Sequence, residues 1–215
     1  MSARIANYAE HVTLRKECGQ KFGAIHELKL IKPNRLIQKI LETSSEGVLD
    51  FGSGVDHHHK SEYQIPDDRY FSLDSDSSGA FDYRSLEEIP FGQKFDLVIM
   101  NQVIEHIQFD DCVEVIEQVS NVLGPGGRLL ITVPNVQHPV RYWGDVDHVT
   151  PWTFEDIYGV LRRIGFAVDE IGRFNKYRFP LNPLKRFILK TVCIGFRVDW
   201  CDSIVVLGRK ASAQQ

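Results

Sequence analysis

The chain has 215 residues, which is enough for one α/β domain with a sizeable core. Hydrophobic residues make up 43% of it and charged residues 25%, as in ordinary soluble globular proteins. A net charge of −4 disfavours a nucleic-acid scaffold, and no apolar run approaches the ~20 residues that span a bilayer.

The N-terminal region is polar and mixed in charge, with no apolar signal core. Spaced apolar residues in it, such as Tyr8 and Val12, predict an N-terminal helical cap over residues 1–30. Residues 31–215 are expected to form the main domain, with a cap insertion at about 172–200.

In the main domain, short apolar runs alternate with helical patterns. The predicted strands are Gly47–Phe51, Tyr70–Leu73, Phe95–Asn101, Arg128–Val133, Phe166–Ile171 and Ser203–Gly208. Helices are predicted from Pro33, from Asp111 with Glu114 as its cap partner, and from Thr153 with Asp156. This alternation predicts a parallel sheet with helices on both faces, whose ligand binds beyond the carboxyl ends of the strands.

The first strand carries the most informative motif. The run from Val48 ends at Asp50 and then turns through Gly52 and Gly54, and the next strand ends at Asp74. A strand that breaks into Gly-x-Gly lets a ligand approach bare backbone amides. An acid at the end of the neighbouring strand is placed to bind a ribose diol, so the combination predicts a nucleoside-containing cofactor.

Two structural alternatives remain open for these acids. Asp50 could be a turn carboxylate that caps backbone amides, and Asp74 could be an exposed loop acid that Asp76 replaces. A dinucleotide-binding fingerprint requires a third glycine where this chain has His57, which argues against NAD.

Five segments taken together resemble the class I S-adenosylmethionine-dependent methyltransferases. They are DFGSG at 50–54, LD at 73–74, FDLVIMNQVIEHI at 95–107, LGPGGRLLITVPN at 123–135 and DHVTPWTFEDIYGVLRRIGF at 147–166. They look most like small bacterial methyltransferases of types 11 and 23, which are found with glycan, lipid and quinone pathways. The resemblance implies an α/β, Rossmann-like, doubly wound sheet of seven mostly parallel strands with an antiparallel last strand.

The resemblance also implies roles for individual residues. Asp50 and the glycines would line the methionine end of S-adenosylmethionine, together with Asn101, and Asp74 would bind both ribose hydroxyls. Asp82 and Tyr83 would lie near the adenine. The chain departs from the family pattern at Asp56, where a third glycine is common. The full implied set is Asp50, Phe51, Gly52, Ser53, Gly54, Asp74, Ser75, Asp82, Tyr83, Asn101 and Gln102.

Candidate catalytic residues follow two of the strand ends. His148, with Asp147 or Asp145 to orient it, lies in a loop rich in polar and aromatic residues, and His106 follows the Asn101 strand end. A histidine beside a carboxylate suits the removal of a proton from an oxygen acceptor near neutral pH. The alternatives are a His148 that only bonds backbone and a His106 that only packs beneath the cofactor. We therefore expect methyl transfer to a small-molecule, glycan or lipid-linked acceptor, at oxygen.

Two further segments are rich in basic side chains. The run His57–His59 has the wrong spacing for a metal site, so these residues are expected to be solvated or to flank the substrate entrance. The segment Arg173–Arg197 carries seven basic residues and no acid. It predicts either a helical cap with a solvated basic face or a peripheral membrane contact with anionic lipid.

The cysteines complete the composition. Cys18, Cys112, Cys193 and Cys201 are scattered and form no C-x-x-C pair, so reduced thiols in a cytoplasmic protein are expected, without a disulfide framework or zinc site. Two other classes of function stay open, an oxidoreductase that uses NAD or a nucleotide sugar and a non-catalytic cofactor-binding module. The sequence does not indicate the oligomeric state.

Overall fold

A computed structural model of the chain describes residues 8–175, 182–196 and 198–211. The strands are β1 (Lys29–Leu30), β2 (Gly47–Phe51), β3 (Tyr70–Leu73), β4 (Phe95–Asn101), β5 (Leu123–Pro134), β6 (Phe166–Phe174) and β7 (Ser203–Lys210). The α-helices are α1 (Tyr8–Phe22), α2 (Pro33–Leu41), α3 (His58–Glu62), α4 (Phe109–Val122), α5 (Phe154–Arg163) and α6 (Pro183–Phe196).

The strands form a single sheet in the order β1-β6-β7-β5-β4-β2-β3. β2 pairs in parallel with β3 and β4, and β4 pairs in parallel with β5. β7 runs antiparallel to both of its neighbours, β5 and β6. The carboxyl ends of β2, β3 and β4 therefore meet at one edge, where the sequence places the cofactor-binding residues. The predicted Rossmann-like, mostly parallel seven-stranded sheet with an antiparallel last strand is confirmed.

Successive side chains along the central strands alternate between two hydrophobic cores. In β2, Val48 belongs to a core that includes Ile37 and Ile40 of α2, whereas Leu49 belongs to a core on the opposite face. That second core also takes up the buried sides of α4 and α5. Because adjacent strand residues point to opposite faces, this alternation means that helices cover both faces of the sheet, as predicted.

The strand β1, which the sequence did not predict, comes from the N-terminal region. β1 pairs in parallel with β6, where Lys29 lies opposite Gly172, and so forms one edge of the sheet. At the other edge, beyond β3, Tyr83 forms only an isolated bridge with Leu73. The helix α1, which lies in the predicted N-terminal cap, packs against α5.

The helix starts match the sequence in two of three cases. α2 begins at Pro33, and Thr153 caps α5 through its hydroxyl, which accepts a hydrogen bond from Asp156 N. α4 begins at Phe109, with Gln108 as a cap that makes no side-chain hydrogen bond, so the predicted start at Asp111 is wrong by two residues. Asp111 instead lies in the first turn, where its negative charge interacts favourably with the helix dipole.

The insertion between β6 and β7 contains α6. Residues 176–181 and 197, which belong to the predicted basic segment, lie outside the described residues, as do residues 1–7 of the predicted N-terminal cap. Among the helices of the described ranges, none is both long and apolar enough to cross a membrane. All four cysteines are buried and carry free thiols.

Candidate active site

The turn after β2 depends on two glycines in left-handed conformations. Gly52 has φ 76° and Gly54 has φ 64°. Gly52 N donates a hydrogen bond of 2.8 Å to Leu73 O, and a Cβ on Gly52 would lie 2.6 Å from a methyl group of Val103. A Cβ on Gly54 would meet no atom within 4 Å, so the space beside this residue is open. A side chain at position 52 would therefore clash with Val103, whereas the space beside position 54 is open.

Asp74 at the end of β3 is tied to this turn. Its Oδ2 accepts a hydrogen bond of 2.9 Å from Gly54 N, and its Oδ1 accepts one of 3.0 Å from Asp76 N. The carboxylate of Asp76 is exposed and accepts instead from the backbone and hydroxyl of Ser78. Of the two acids that the sequence left open, only Asp74 is bonded to the glycine turn.

A cavity of about 500 Å³ opens beside these residues, within the range of small-molecule sites. Of the sequence-predicted residues, it is lined by Phe51, Gly52, Asp74, Ser75, Gln102 and His106. The remaining lining residues are Leu73, Arg84, Ser85, Leu86, Glu87, Val103, Ile107, Val115 and Gln118, most of which sequence reasoning missed.

Asp50 is not among the residues that line the cavity. Its side chain is fully buried, accepts a hydrogen bond of 2.7 Å from the Tyr70 hydroxyl, and lies 3.1 Å from Nδ1 of His59. Burial, reinforced by the Asp50 carboxylate, raises the pKa of Tyr70, which keeps its hydroxyl protonated as a donor. The neighbouring Ser53 is also fully buried.

The same network continues to the end of β4. His59 Nε2 lies 2.7 Å from the side-chain nitrogen of Asn101, whose oxygen accepts a hydrogen bond from the Thr132 hydroxyl. Gln102 donates to that hydroxyl at 3.0 Å. His59 is therefore a buried member of a polar chain, and the expectation that His57–His59 are solvated is wrong for this residue. These linked side chains fix the ends of β2, β4 and β5 relative to one another.

Asp82 and Tyr83 lie at the margin of the site. Oδ2 of Asp82 accepts hydrogen bonds of 2.8 Å from both the amide and the hydroxyl of Ser72, which fixes this segment to β3. The residues that follow, beginning with Arg84, line the cavity. Arg84 also donates to Gly79 O at 2.7 Å, and so holds the loop that leads from Asp74.

The loop before α5 is bound to the turn that follows β4. Val149 N and Thr150 N both donate to Glu105 O, at 2.8 and 3.1 Å. The Thr150 hydroxyl donates to Ile107 O at 2.7 Å, and the buried Trp152 ring donates to Ile104 O at 2.9 Å. These bonds hold residues 147–152 against the turn that contains His106, so the two predicted catalytic segments are in contact.

This contact brings His106 and His148 together, with ring centroids 5.0 Å apart. Nδ1 of His106 lies 3.1 Å from Asp147 O, and Nδ1 of His148 lies 2.7 Å from Tyr142 O. Because a carbonyl oxygen can only accept, both Nδ1 atoms are the donors, and Nε2 of each ring keeps a lone pair when the ring is neutral.

The acid near His148 is Asp145, whose Oδ2 lies 3.8 Å from its Nε2. Asp147 is exposed, and it meets His106 through its backbone carbonyl, not through its carboxylate. Of the two acids that the sequence left open for orienting His148, the structure thus brings Asp145 to the ring.

Sequence reasoning did not single out the side chain of Glu105. It is fully buried, and neither carboxylate oxygen has a hydrogen-bond partner among the described residues. Burial raises the pKa of Glu105 to about 8, and the nearby charge of Asp145 adds to the increase. The signal available in the sequence was its position next to His106 at a strand end.

Comparisons with known proteins agree with this geometry. A family model described as a methyltransferase domain (Methyltransf_23) matches residues 25–171. A SAM-dependent methyltransferase from Archaeoglobus fulgidus has a TM-score of 0.59 at 15% identity, with 91% of this chain and 99% of that chain covered. Magnesium protoporphyrin IX methyltransferase from Synechocystis PCC 6803, solved with bound SAH, has a TM-score of 0.53 at 14% identity and 83% coverage of both chains.

A third solved structure is the complex of a methyltransferase with the Trm112 methyltransferase activator from Haloferax volcanii. It has a TM-score of 0.58 at 15% identity, and the alignment covers 99% of each chain. No curated protein matches the chain.

The sheet order, the glycine turn and the cavity at the carboxyl strand ends define a Rossmann-like methyltransferase fold. Because the matched family model spans more than half of the sequence, the chain belongs to the methyltransferase-domain family. The predictions of a class I S-adenosylmethionine-dependent methyltransferase, and of S-adenosylmethionine as its cofactor, are confirmed. The family match disfavours the oxidoreductase alternative.

Proposed function

We propose that this methyltransferase transfers the methyl group of S-adenosylmethionine to an oxygen atom of a small-molecule, glycan or lipid-linked acceptor. The observation that carries the proposal is that Gly52, Asp74 and His106 line one and the same cavity. Such a cavity places a cofactor-binding turn and a polar, histidine-bearing loop around the same space.

The residues at the glycine turn fit the cofactor. Asp74 lies in the cavity wall and retains further acceptor capacity beyond its two backbone bonds, as a ribose diol requires. Leu86, Val103 and Ile107 give the wall apolar surface for an adenine ring. The cofactor has no phosphate group, so the missing third glycine of the dinucleotide fingerprint does not exclude it.

On the acceptor side, the chain's contribution is alignment and proton acceptance. Bound S-adenosylmethionine supplies a methyl group on a positively charged sulfur, whose charge disappears on transfer. The loop 147–152 excludes water and orients the acceptor, and such positioning supplies roughly 7–11 kcal/mol in favourable cases. Nε2 of His148 accepts the hydroxyl proton, with Asp145 stabilising the resulting imidazolium.

Methyl-labelled S-adenosylmethionine provides the direct test of this activity. The purified protein is incubated with fractionated hydroxyl-bearing glycans and lipids, and labelled products are identified by mass spectrometry. We expect a labelled methyl ether in one fraction, with release of S-adenosylhomocysteine. Label found only on nitrogen or carbon would contradict the assignment to oxygen.

The His148→Ala variant tests the acceptor side separately. Loss of a positioned base reduces turnover by roughly 10²–10⁴-fold. Affinity for S-adenosylhomocysteine should stay within about twofold of the wild-type value, because His148 does not line the cavity of the glycine turn. Turnover at the wild-type rate on the true acceptor would show that His148 takes no part in the reaction.

A peripheral membrane contact through α6 would explain access to a lipid-linked acceptor, and we propose it as the role of this helix. Leu184, Phe187, Ile188 and Val192 are between 42% and 69% exposed, and their spacing places them on one helix face. The surrounding sequence from Arg173 to Arg197 carries seven basic residues and no acid. An apolar helix face within a basic segment is typical of helices that lie in an anionic lipid interface.

A further inference from the structure

The turn after β4 and the loop before α5 assemble a cluster of potential metal ligands. Glu105, His106 and His148 each offer one ligand atom, and these three atoms all lie within 4.8 Å of one another. His106 also lines the cofactor cavity, so the cluster adjoins the site already described.

Both histidines are held in the orientation that metal ligands need. Each directs Nδ1–H at a backbone carbonyl, that of Asp147 for His106 and that of Tyr142 for His148. This leaves the lone pair of Nε2 in each ring available to a metal ion, with the Asp145 carboxylate 3.8 Å from that atom of His148. A carbonyl partner on the other nitrogen is the usual support of a metal-binding histidine. The ring of Tyr142 stacks on His148 at 5.1 Å and restricts its rotation further.

Glu105 supplies an independent observation. Its carboxylate is fully buried and both oxygens lack a hydrogen-bond partner among the described residues, although buried polar groups are normally satisfied. A carboxylate in such a place is costly unless a cation or donor compensates for its lost hydration. The two histidine rings beside it have no N–H directed at it, because their Nδ1–H groups are used elsewhere.

We propose that Glu105, His106 and His148 bind one divalent transition-metal ion at the wall of the cofactor cavity. Two imidazoles and one carboxylate suit ions such as Mn²⁺, Fe²⁺ or Zn²⁺ better than Mg²⁺ or Ca²⁺. Ligand distances of about 2.0–2.2 Å require the three atoms to approach one another by small side-chain rotations when the ion binds. Three protein ligands leave a coordination position open, as in catalytic sites.

Metal binding does not depend on which atom is methylated. While the ion is bound, Nε2 of His148 is a ligand and cannot accept a proton, so this atom acts as the proton acceptor only in the metal-free protein. Loss of turnover in His148→Ala therefore does not separate the two roles, whereas a direct metal titration does.

The test is isothermal titration of the full-length, EDTA-treated protein with Mn²⁺ and, separately, with Zn²⁺. We expect one equivalent of ion per chain and a higher melting temperature in its presence. His106→Ala and Glu105→Gln should each weaken the affinity at least about 100-fold, because loss of even an outer partner costs 10–100-fold. His106 is exposed, so its removal should leave the fold intact.

His26→Ala is the matched control, since His26 is a partly buried histidine outside the cluster. Its metal affinity should equal that of the wild type. In metal-free protein, Glu105→Gln should melt at the wild-type temperature or above it, because the amide has nearly the same shape as the carboxyl group and carries no charge. A wild-type protein that binds neither ion, or that loses as much affinity on His26→Ala as on His106→Ala, would overturn the proposal. Binding of S-adenosylhomocysteine is measured alongside, so that failure of the cofactor site is recognised independently.

Discussion

Asp50 lies where its sequence pattern places it, and its carboxylate takes part in a buried hydrogen-bond network that the pattern did not indicate. The motif placed it at the end of β2, where it lies, but its carboxylate points into the protein toward Tyr70 and His59. Successive residues of a strand point to opposite faces of the sheet. The sequence alone therefore does not show whether the side chain at a strand end points toward the ligand or into the protein. Asp74 also follows its strand directly, and its carboxylate lies in the cavity wall.

The hydrogen bond between Asp50 and Tyr70 should make a measurable contribution to the free energy of unfolding. Asp50→Ala leaves the donors of Tyr70 and His59 without an acceptor in a buried place, which costs roughly 2–4 kcal/mol. Tyr70→Phe should cost less, because His59 remains beside the carboxylate. In a double-mutant cycle by urea unfolding, we expect a coupling energy of roughly 1–3 kcal/mol. Additive effects would show that the two side chains do not stabilise each other.

At the level of secondary structure, the three strands β2, β3 and β4 were predictable in full, whereas β1 and the start of β5 were not. β2, β3 and β4 have the predicted bounds because each is a mostly apolar, largely buried run. β1 has only two residues and exposed side chains, so it has neither the length nor the pattern of a strand. Its place in the sheet comes from pairing with β6, which is a tertiary contact. β5 also begins earlier than predicted, at Leu123, where the glycines form an irregular pairing with β4.

The exposed face of α6 gives a prediction about the element as a whole. We expect the protein to co-sediment with vesicles that contain phosphatidylserine, less with vesicles of phosphatidylcholine alone, and less at high salt. Phe187→Ser should weaken this binding by about tenfold or more, since burial of one phenylalanine contributes roughly 1.5–3 kcal/mol.

Phe91→Ser is the matched control for that experiment. Phe91 is fully exposed and lies in the loop before β4, outside the basic segment. Its replacement should leave vesicle binding unchanged. Equal binding to both kinds of vesicle, or no effect of Phe187→Ser, would mean that α6 does not lie in an anionic lipid surface.

For the molecule as a whole, the fold brings together site residues that lie far apart in the sequence. The pairing of Asp74 with the glycine turn follows from two adjacent parallel strands, and this part of the site was predictable. The contact of His106 with His148 joins positions more than forty residues apart, and it depends on the hydrogen bonds that hold loop 147–152 to Glu105. Residues 84–87 also line the cavity. They lie in a segment with little regular structure, so the sequence showed no periodic pattern that would predict their position.

The central claim is that Asp74 binds the ribose of an adenosyl cofactor in this cavity, and calorimetry with S-adenosylhomocysteine tests it most directly. Charge-assisted hydrogen bonds contribute about 1.5–3 kcal/mol each, so Asp74→Ala should weaken binding at least about tenfold. Asp76→Ala, which removes an exposed acid two residues away, should leave affinity within about twofold of wild type. Wild-type affinity in Asp74→Ala, or an equal loss in both variants, would contradict the account.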